Sequence, residues 1–194
     1  METEHLVGYW PLRGDCRDAS GHGHHGLNHG VDLAKSLFDG RDSHIAVAPS
    51  ESLRFDGGSL TVSAWIDTAR GVQGVIGDIV SKYDSQTRKG FSLCVKSTAG
   101  GYSSQGDDRH LHSGIDDGRV GGRLALYVNG ELAANSLSAG CADCQVSNDE
   151  PLGIGPGGVG QFSGRIRDLR AYGEPLGAEE VRALYRASRA TNEA

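Results

Sequence analysis

The stretch STAGGYSSQGDDRH, residues 97–110, sets one aromatic ring among amides, acids and a guanidinium in a polar, glycine-rich loop. Such a mixture suits a sugar, because an aromatic face covers the apolar side of the ring while amides and carboxylates take the hydroxyls. The candidate ligand-binding residues are therefore Tyr102, Gln105, Asp107, Asp108 and Arg109. Tyr102 has a second reading, as a ring packed on the edge of a sheet. The acidic pairs Asp107–Asp108 and Asp116–Asp117 read either as solvated turn residues or as the lining of a cation or sugar loop.

Other groups carry less chemistry. His22, His24, His25 and His29 lie close in sequence, and neutral imidazoles can hold zinc or nickel. No acids or cysteines complete a tetrahedral pattern around them, so solvated loop histidines are expected. Cys16, Cys94, Cys141 and Cys144 permit two disulfides in three pairings. The CADC at 141–144 lacks the second Cys-x-x-Cys of a zinc site and the βαβ setting of a thioredoxin-like one, which leaves a loop disulfide or free thiols. The GIGPGGVG run at 153–160 is read as a hairpin loop rather than a nucleotide cradle, since no βαβ unit follows it. Glycoside hydrolysis needs two carboxyl groups about 5–9.5 Å apart across the scissile bond. Glu131 follows a hairpin turn and Glu179 and Glu180 open a helix, so no such pair is visible on a predicted strand. No Gly-x-Ser-x-Gly elbow occurs either. No catalytic residue is assigned, and a non-enzymatic role is expected.

The elements that must hold these residues are mostly strands. In SLTVSAWI (59–66), Leu60, Val62, Ala64 and Ile66 share one parity and Trp65 the other. GFSLCVKS (90–97) and RLALYVNG (123–130) repeat the period of two, which marks half-buried strands of an antiparallel sheet. Further strands are predicted over 5–10, 44–48, 76–82, 111–116, 152–155 and 162–172, with DGG, NG, DDG and GPGG as turn signals between them. Trp10 and Trp65, both inside strands, are expected in the core. One helix is predicted, at 177–190, with Val181, Leu184, Tyr185 and Ser188 on one face and Gly177 as its N-cap.

Composition agrees with a turn-rich β fold. Of 194 residues 30 are glycine, without a three-residue period and with only 5 prolines, which excludes collagen. The length suits a single domain, taken here as 1–194. A formal net charge of −6 argues against nucleic acid as a partner. No apolar run reaches the ~20 residues that span a bilayer. The start METEHLVGYW lacks the basic and apolar stretches of a signal peptide, so the chain is read as cytoplasmic or as a piece of a longer secreted protein.

Five segments, in order, resemble the LamG-like (laminin G type) jelly-roll domains of the concanavalin A-like lectin/glucanase superfamily. GYWPLRGDCRDASGHGHHGLNHGV (8–31) resembles their opening, an aromatic strand followed by an Asp-x-Ser-Gly-x-Gly loop. LFDGRDSHIAVAPSESLRFDGGSLTVSAWI (37–66) and DIVSKYDSQTRKGFSLCV (78–95) resemble the next strands. LALYVNGELAANS (124–136) resembles a hairpin, and PLGIG with FSGRIRDLRAYGEPLGAEEVRALY (151–155, 162–185) the closing strand and helix. The pattern departs from the family at GIDDGRVGG (114–122), where a further strand is usual; either Leu111–Asp116 takes its place or that strand is missing. The resemblance implies an all-β, antiparallel two-sheet jelly roll with a short C-terminal helix. It also implies a structural calcium ion, with Asp18 and Asp168 as its carboxylates, although Arg167 stands where many members carry an acid. The family's glucanases use a Glu-x-Asp-x-x-Glu strand that this chain lacks. The implied function is a non-catalytic module for a glycan or an extracellular protein, with a divergent glycosidase or a structural spacer as alternatives.

Overall fold

Period-two alternation buries one face of each strand, and here the buried faces of two sheets meet. The computed structural model describes residues 5–56, 59–68, 75–87, 89–97, 109–114, 123–137, 146–158 and 160–192. In chain order the strands are β1 (Leu6–Trp10), β2 (Gly26–His29), β3 (Leu37–Asp39), β4 (His44–Val47), β5 (Thr61–Thr68) and β6 (Val75–Asp84). They continue with β7 (Lys89–Ser97), β8 (Arg109–Gly114), β9 (Arg123–Val128), β10 (Glu131–Leu137), β11 (Leu152–Ile154) and β12 (Ser163–Tyr172), before helix α1 (Ala178–Asn192).

One sheet runs β2-β4-β11-β6-β7-β8. The other is organised on β12, which pairs with β1 and β3 along one edge and with β5 along the other. All of these pairings are antiparallel. The predicted parity holds in β5, where Val62, Ala64 and Ile66 pack on the core together with Leu60 just before the strand. Between the sheets lie Trp10, Phe38, Ile45, Ile79, Phe91, Ile154, Phe162, Ile166 and Leu169, all buried. Phe38 meets Phe162 edge-on, with centroids 6.0 Å apart and planes at 87°. The chains approach closely at the β12–β5 junction, where a Cβ on Gly164, whose φ is +138°, would overlap the Asp67 carbonyl oxygen.

β9 and β10 form a hairpin through Asn129 and Gly130, with φ of 53° and 79°. Two successive left-handed residues define the type I′ turn that the Asn-Gly pair predicts. The strand β8 lies beside β7, so a strand does precede this hairpin; residues 115–122 lie outside those described.

Helix α1 starts where expected and runs one residue pair further. Gly177 is its N-cap, its carbonyl accepting from Val181 at 3.0 Å. The Glu180 carboxylate reaches back to accept the Gly177 amide at 2.7 Å, the return half of a capping box. The helix covers the outer face of the β12 sheet, and this corrects one expectation: Trp65 is not in the core. On the parity opposite to Ile66, its ring is half-buried and stacks on Tyr185, with centroids 5.5 Å apart, and its indole N–H donates to Ser188 Oγ at 2.9 Å.

Candidate functional site

The loop that follows β1 is built around one carboxylate. Asp18 Oδ1 accepts the backbone amides of Tyr9 (3.0 Å) and Ser20 (2.8 Å), and Oδ2 accepts that of His24 (2.9 Å). Burial opposes the charge, but the hydrogen bonds from Ser20, Tyr9 and His24 outweigh it and hold the carboxyl below the usual carboxylate range. The loop is also tied to the core by Trp10, whose indole N–H donates to the His24 carbonyl at 2.7 Å. The histidines are absorbed in this frame. His25 Nδ1 accepts the Asp18 amide, His24 Nε2 meets Ser52 Oγ, His22 Nε2 meets the Leu6 carbonyl, and His29 stacks on His44 at 4.4 Å.

Asp168 sits at a bulge in β12, with φ of 55° and a register shift between Arg167 and Arg170. Its Oδ1 pairs with the Arg170 guanidinium at 3.1 Å and its Oδ2 accepts from Asn192 Nδ2 at 3.1 Å. Calcium requires six to eight oxygen ligands. The two carboxylates do not fit such a shell as placed, since both are already turned to N–H donors. Among the described residues no three of His, Cys, Asp and Glu stand close enough to hold a metal ion. Arg167, in place of an acid, turns to the helix and donates from Nη2 to the Asn192 carbonyl at 2.9 Å.

Of the candidate ligand-binding residues, Tyr102, Gln105, Asp107 and Asp108 lie outside the described residues, and Arg109 opens β8. The Cys16 thiol donates to the Gly26 carbonyl at 3.0 Å and Cys94 is buried in β7; Cys141 and Cys144 lie outside the described residues. The buried acids Asp18 and Asp168 are both taken up by the bonds above, and Asp78 Oδ1 accepts from Ser92 Oγ at 2.9 Å. Glu51, Glu131, Glu150, Glu174, Glu179 and Glu180 are all exposed.

A cleft of about 490 Å³ was not foreseen from the sequence. Arg13, Ala34, Lys35, Ser36, Arg165, Arg167 and Asn192 line it. The turn carrying Lys35 is stitched on both sides, since Gly14 donates its amide to Leu33 O at 2.9 Å and Ile166 its own to Ser36 O at 3.3 Å. Its four cations come from positions 13, 35, 165 and 167, so only the alternation of Arg165 and Arg167 on one strand hinted at it. No described helix is long and apolar enough to cross a membrane.

Comparison with known proteins gives the fold its relatives. The receptor-binding domain of botulinum neurotoxin C/D mosaic serotype superposes with a TM-score of 0.65 at 15% identity, over 95% of this chain and 52% of its own. A structure of botulinum neurotoxin type C, whose cell entry depends on interaction with two ganglioside molecules, gives 0.60 at 14% identity over 96% and 52%. The chain thus spans about half the length of these toxin structures. Domain 4 of AbnA, a GH43 extracellular arabinanase from Geobacillus stearothermophilus in complex with arabinotriose, gives 0.60 at 17% identity over 93% and 98%. At these identities the likeness is one of fold. No curated protein matches the sequence significantly. A family model of laminin G type, described as the concanavalin A-like lectin/glucanases superfamily, matches residues 39–182. With a jelly-roll sandwich in the structure and a match across well over half of the sequence, the chain belongs to the laminin G-type family of the concanavalin A-like lectin/glucanases superfamily.

Proposed function

We propose that this chain is a non-catalytic carbohydrate-binding module of a secreted protein. One observation carries the reading: its jelly roll coincides over nearly the full length of both chains with an arabinanase domain solved with an oligosaccharide. The disposition of acids supports binding over hydrolysis, because the buried ones described are committed to holding loops and strands rather than facing each other across an opening. Recognition is assigned to the 97–110 loop, with Tyr102 as the stacking ring and Gln105, Asp107, Asp108 and Arg109 as hydrogen-bonding partners for hydroxyls.

Glycan-array binding, repeated with calcium and with a chelator, tests this. At least one oligosaccharide is expected to be retained, and Tyr102→Ala should weaken it by about ten-fold, in line with ~1–1.5 kcal/mol for a stacked ring. Retention of no glycan under either condition would sink the reading and favour a structural spacer. Melting curves in calcium and in chelator should coincide, because the carboxylates Asp18 and Asp168 already have N–H partners.

A further inference from the structure

We propose that the cleft lined by Arg13, Lys35, Arg165 and Arg167 binds a compact polyanion, a small ligand presenting two or more sulfate, phosphate or carboxylate groups. Its seven lining residues comprise these four cations, two small side chains and Asn192, with no acid among them. That local concentration runs against a chain whose formal net charge is −6. Its volume of about 490 Å³ falls within the roughly 300–1,000 Å³ of small-ligand clefts.

A purely architectural role explains only half of the cluster. Arg13 Nη2 donates to the Thr191 carbonyl (2.7 Å) and Asn192 Oδ1 (2.8 Å), and Arg167 Nη2 to the Asn192 carbonyl, so both guanidinium groups cap the C-terminal end of α1. Each guanidinium has five N–H donors, and these bonds use one nitrogen of each. Neither has a carboxylate within ion-pair distance among the described residues. Lys35 and Arg165 instead pair with carboxylates that lie off the helix. Their partners, Asp32 at 3.1 Å and Asp67 at 2.8 Å, are 41% and 58% exposed, and pairs so exposed yield readily to a better anion. Burial, then the like charges of Arg13 and Arg165, pull Arg167 below the ordinary guanidinium value against the opposing pull of Asp67. The backbone beneath is fixed by the Gly14–Leu33 and Ile166–Ser36 hydrogen bonds, so the four cations stand on a rigid frame. A long polyanion would have to run over the remaining acidic surface, whereas a compact one meets the cleft alone.

This site is independent of the glycan reading, and its test is separate. Calorimetric titration and melting at low salt would use sucrose octasulfate, inositol hexakisphosphate and citrate, with uncharged sucrose and inositol as controls. At least one charged probe is expected to bind one-to-one, to weaken as salt rises and to raise the melting temperature, while neither control does. The double variant Lys35→Gln/Arg165→Gln leaves the helix cap intact and should weaken binding by roughly ten-fold. Arg167→Gln should weaken it as well, with far-UV dichroism confirming that α1 persists. The best-binding probe identifies the anionic group. Binding of no charged probe, equal binding of the controls, or affinity unchanged in the double variant would overturn the proposal.

Discussion

Asp18 shows how a residue chosen for one chemistry can be spent on another. Its three amide contacts join the end of β1, the turn at Ser20 and the His24 backbone. Asp18→Ala strands those donors, and the loss expected from urea unfolding is about 2–4 kcal/mol, each hydrogen bond to a charged group being worth ~1.5–3 kcal/mol at most. The same loop sets the pH dependence. Burial, then the neighbouring His22 and His25, hold His24 below its ordinary value despite the opposing pull of Asp18. The unfolded chain therefore takes up this proton first, and stability falls as pH drops below about 6.5 until the folded value is passed. Asp18 is depressed in the folded state, so its contribution is present above about pH 4 and is lost in more acid solution. Asp39 adds to that acid stage, since the Ser43 hydroxyl and the Arg41 and Ser43 amides bring it down to about 2. Urea midpoints from pH 8 to pH 3 should fall in two stages, with the upper one absent in His24→Gln. Persistence of that stage in the variant would contradict the assignment. At this scale the Asp-x-Ser-Gly-x-Gly loop was readable as a turn, whereas the direction of the Asp18 oxygens was not, because it depends on Tyr9, which reaches the loop only through the fold.

Among the elements, α1 and β5 depend on each other. The alternation in SLTVSAWI put Trp65 opposite the core-facing residues, and the helical spacing of Tyr185 and Ser188 put them on one face, yet neither signal names its partner. Their meeting needs β5 paired to β12 with the helix folded back, information that is spread over more than a hundred residues. The bulge at Asp168 was equally hidden, since a left-handed non-glycine inside a strand has no periodic signature. Trp65→Ala should loosen the helix more than the sandwich: about 2–3 kcal/mol lost, from ring stacking and buried area, with far-UV helix signal melting before the β signal. Coincident melting of both signals, at the wild-type temperature, would show that the stack holds nothing. Gly130 reinforces the joint, because a Cβ there would stand 3.0 Å from the Tyr185 ring, so the β9–β10 turn closes against the helix.

For the molecule as a whole, strand periods, turn residues and the order of the five family-like segments were enough to read the jelly roll. The basic cleft was not legible, because residues from four separate segments meet there and the signs of its cations are diluted by an acidic average. The central place of β12 has a further consequence, one of time rather than of shape. β1 begins at residue 6 and its ladder partner ends at residue 172, so β1 must stay unpaired until β12, far along the chain, has been made. Loops this long slow the closing step, and refolding from urea is expected in the milliseconds-to-seconds range of non-local β proteins. Stopped-flow fluorescence of Trp10, which is buried beside that ladder, reports it. A circular permutant that joins residue 192 to residue 5 by a short flexible linker and opens the chain at the Asn129–Gly130 turn would make the two strands near neighbours, and it should close the same sheet faster.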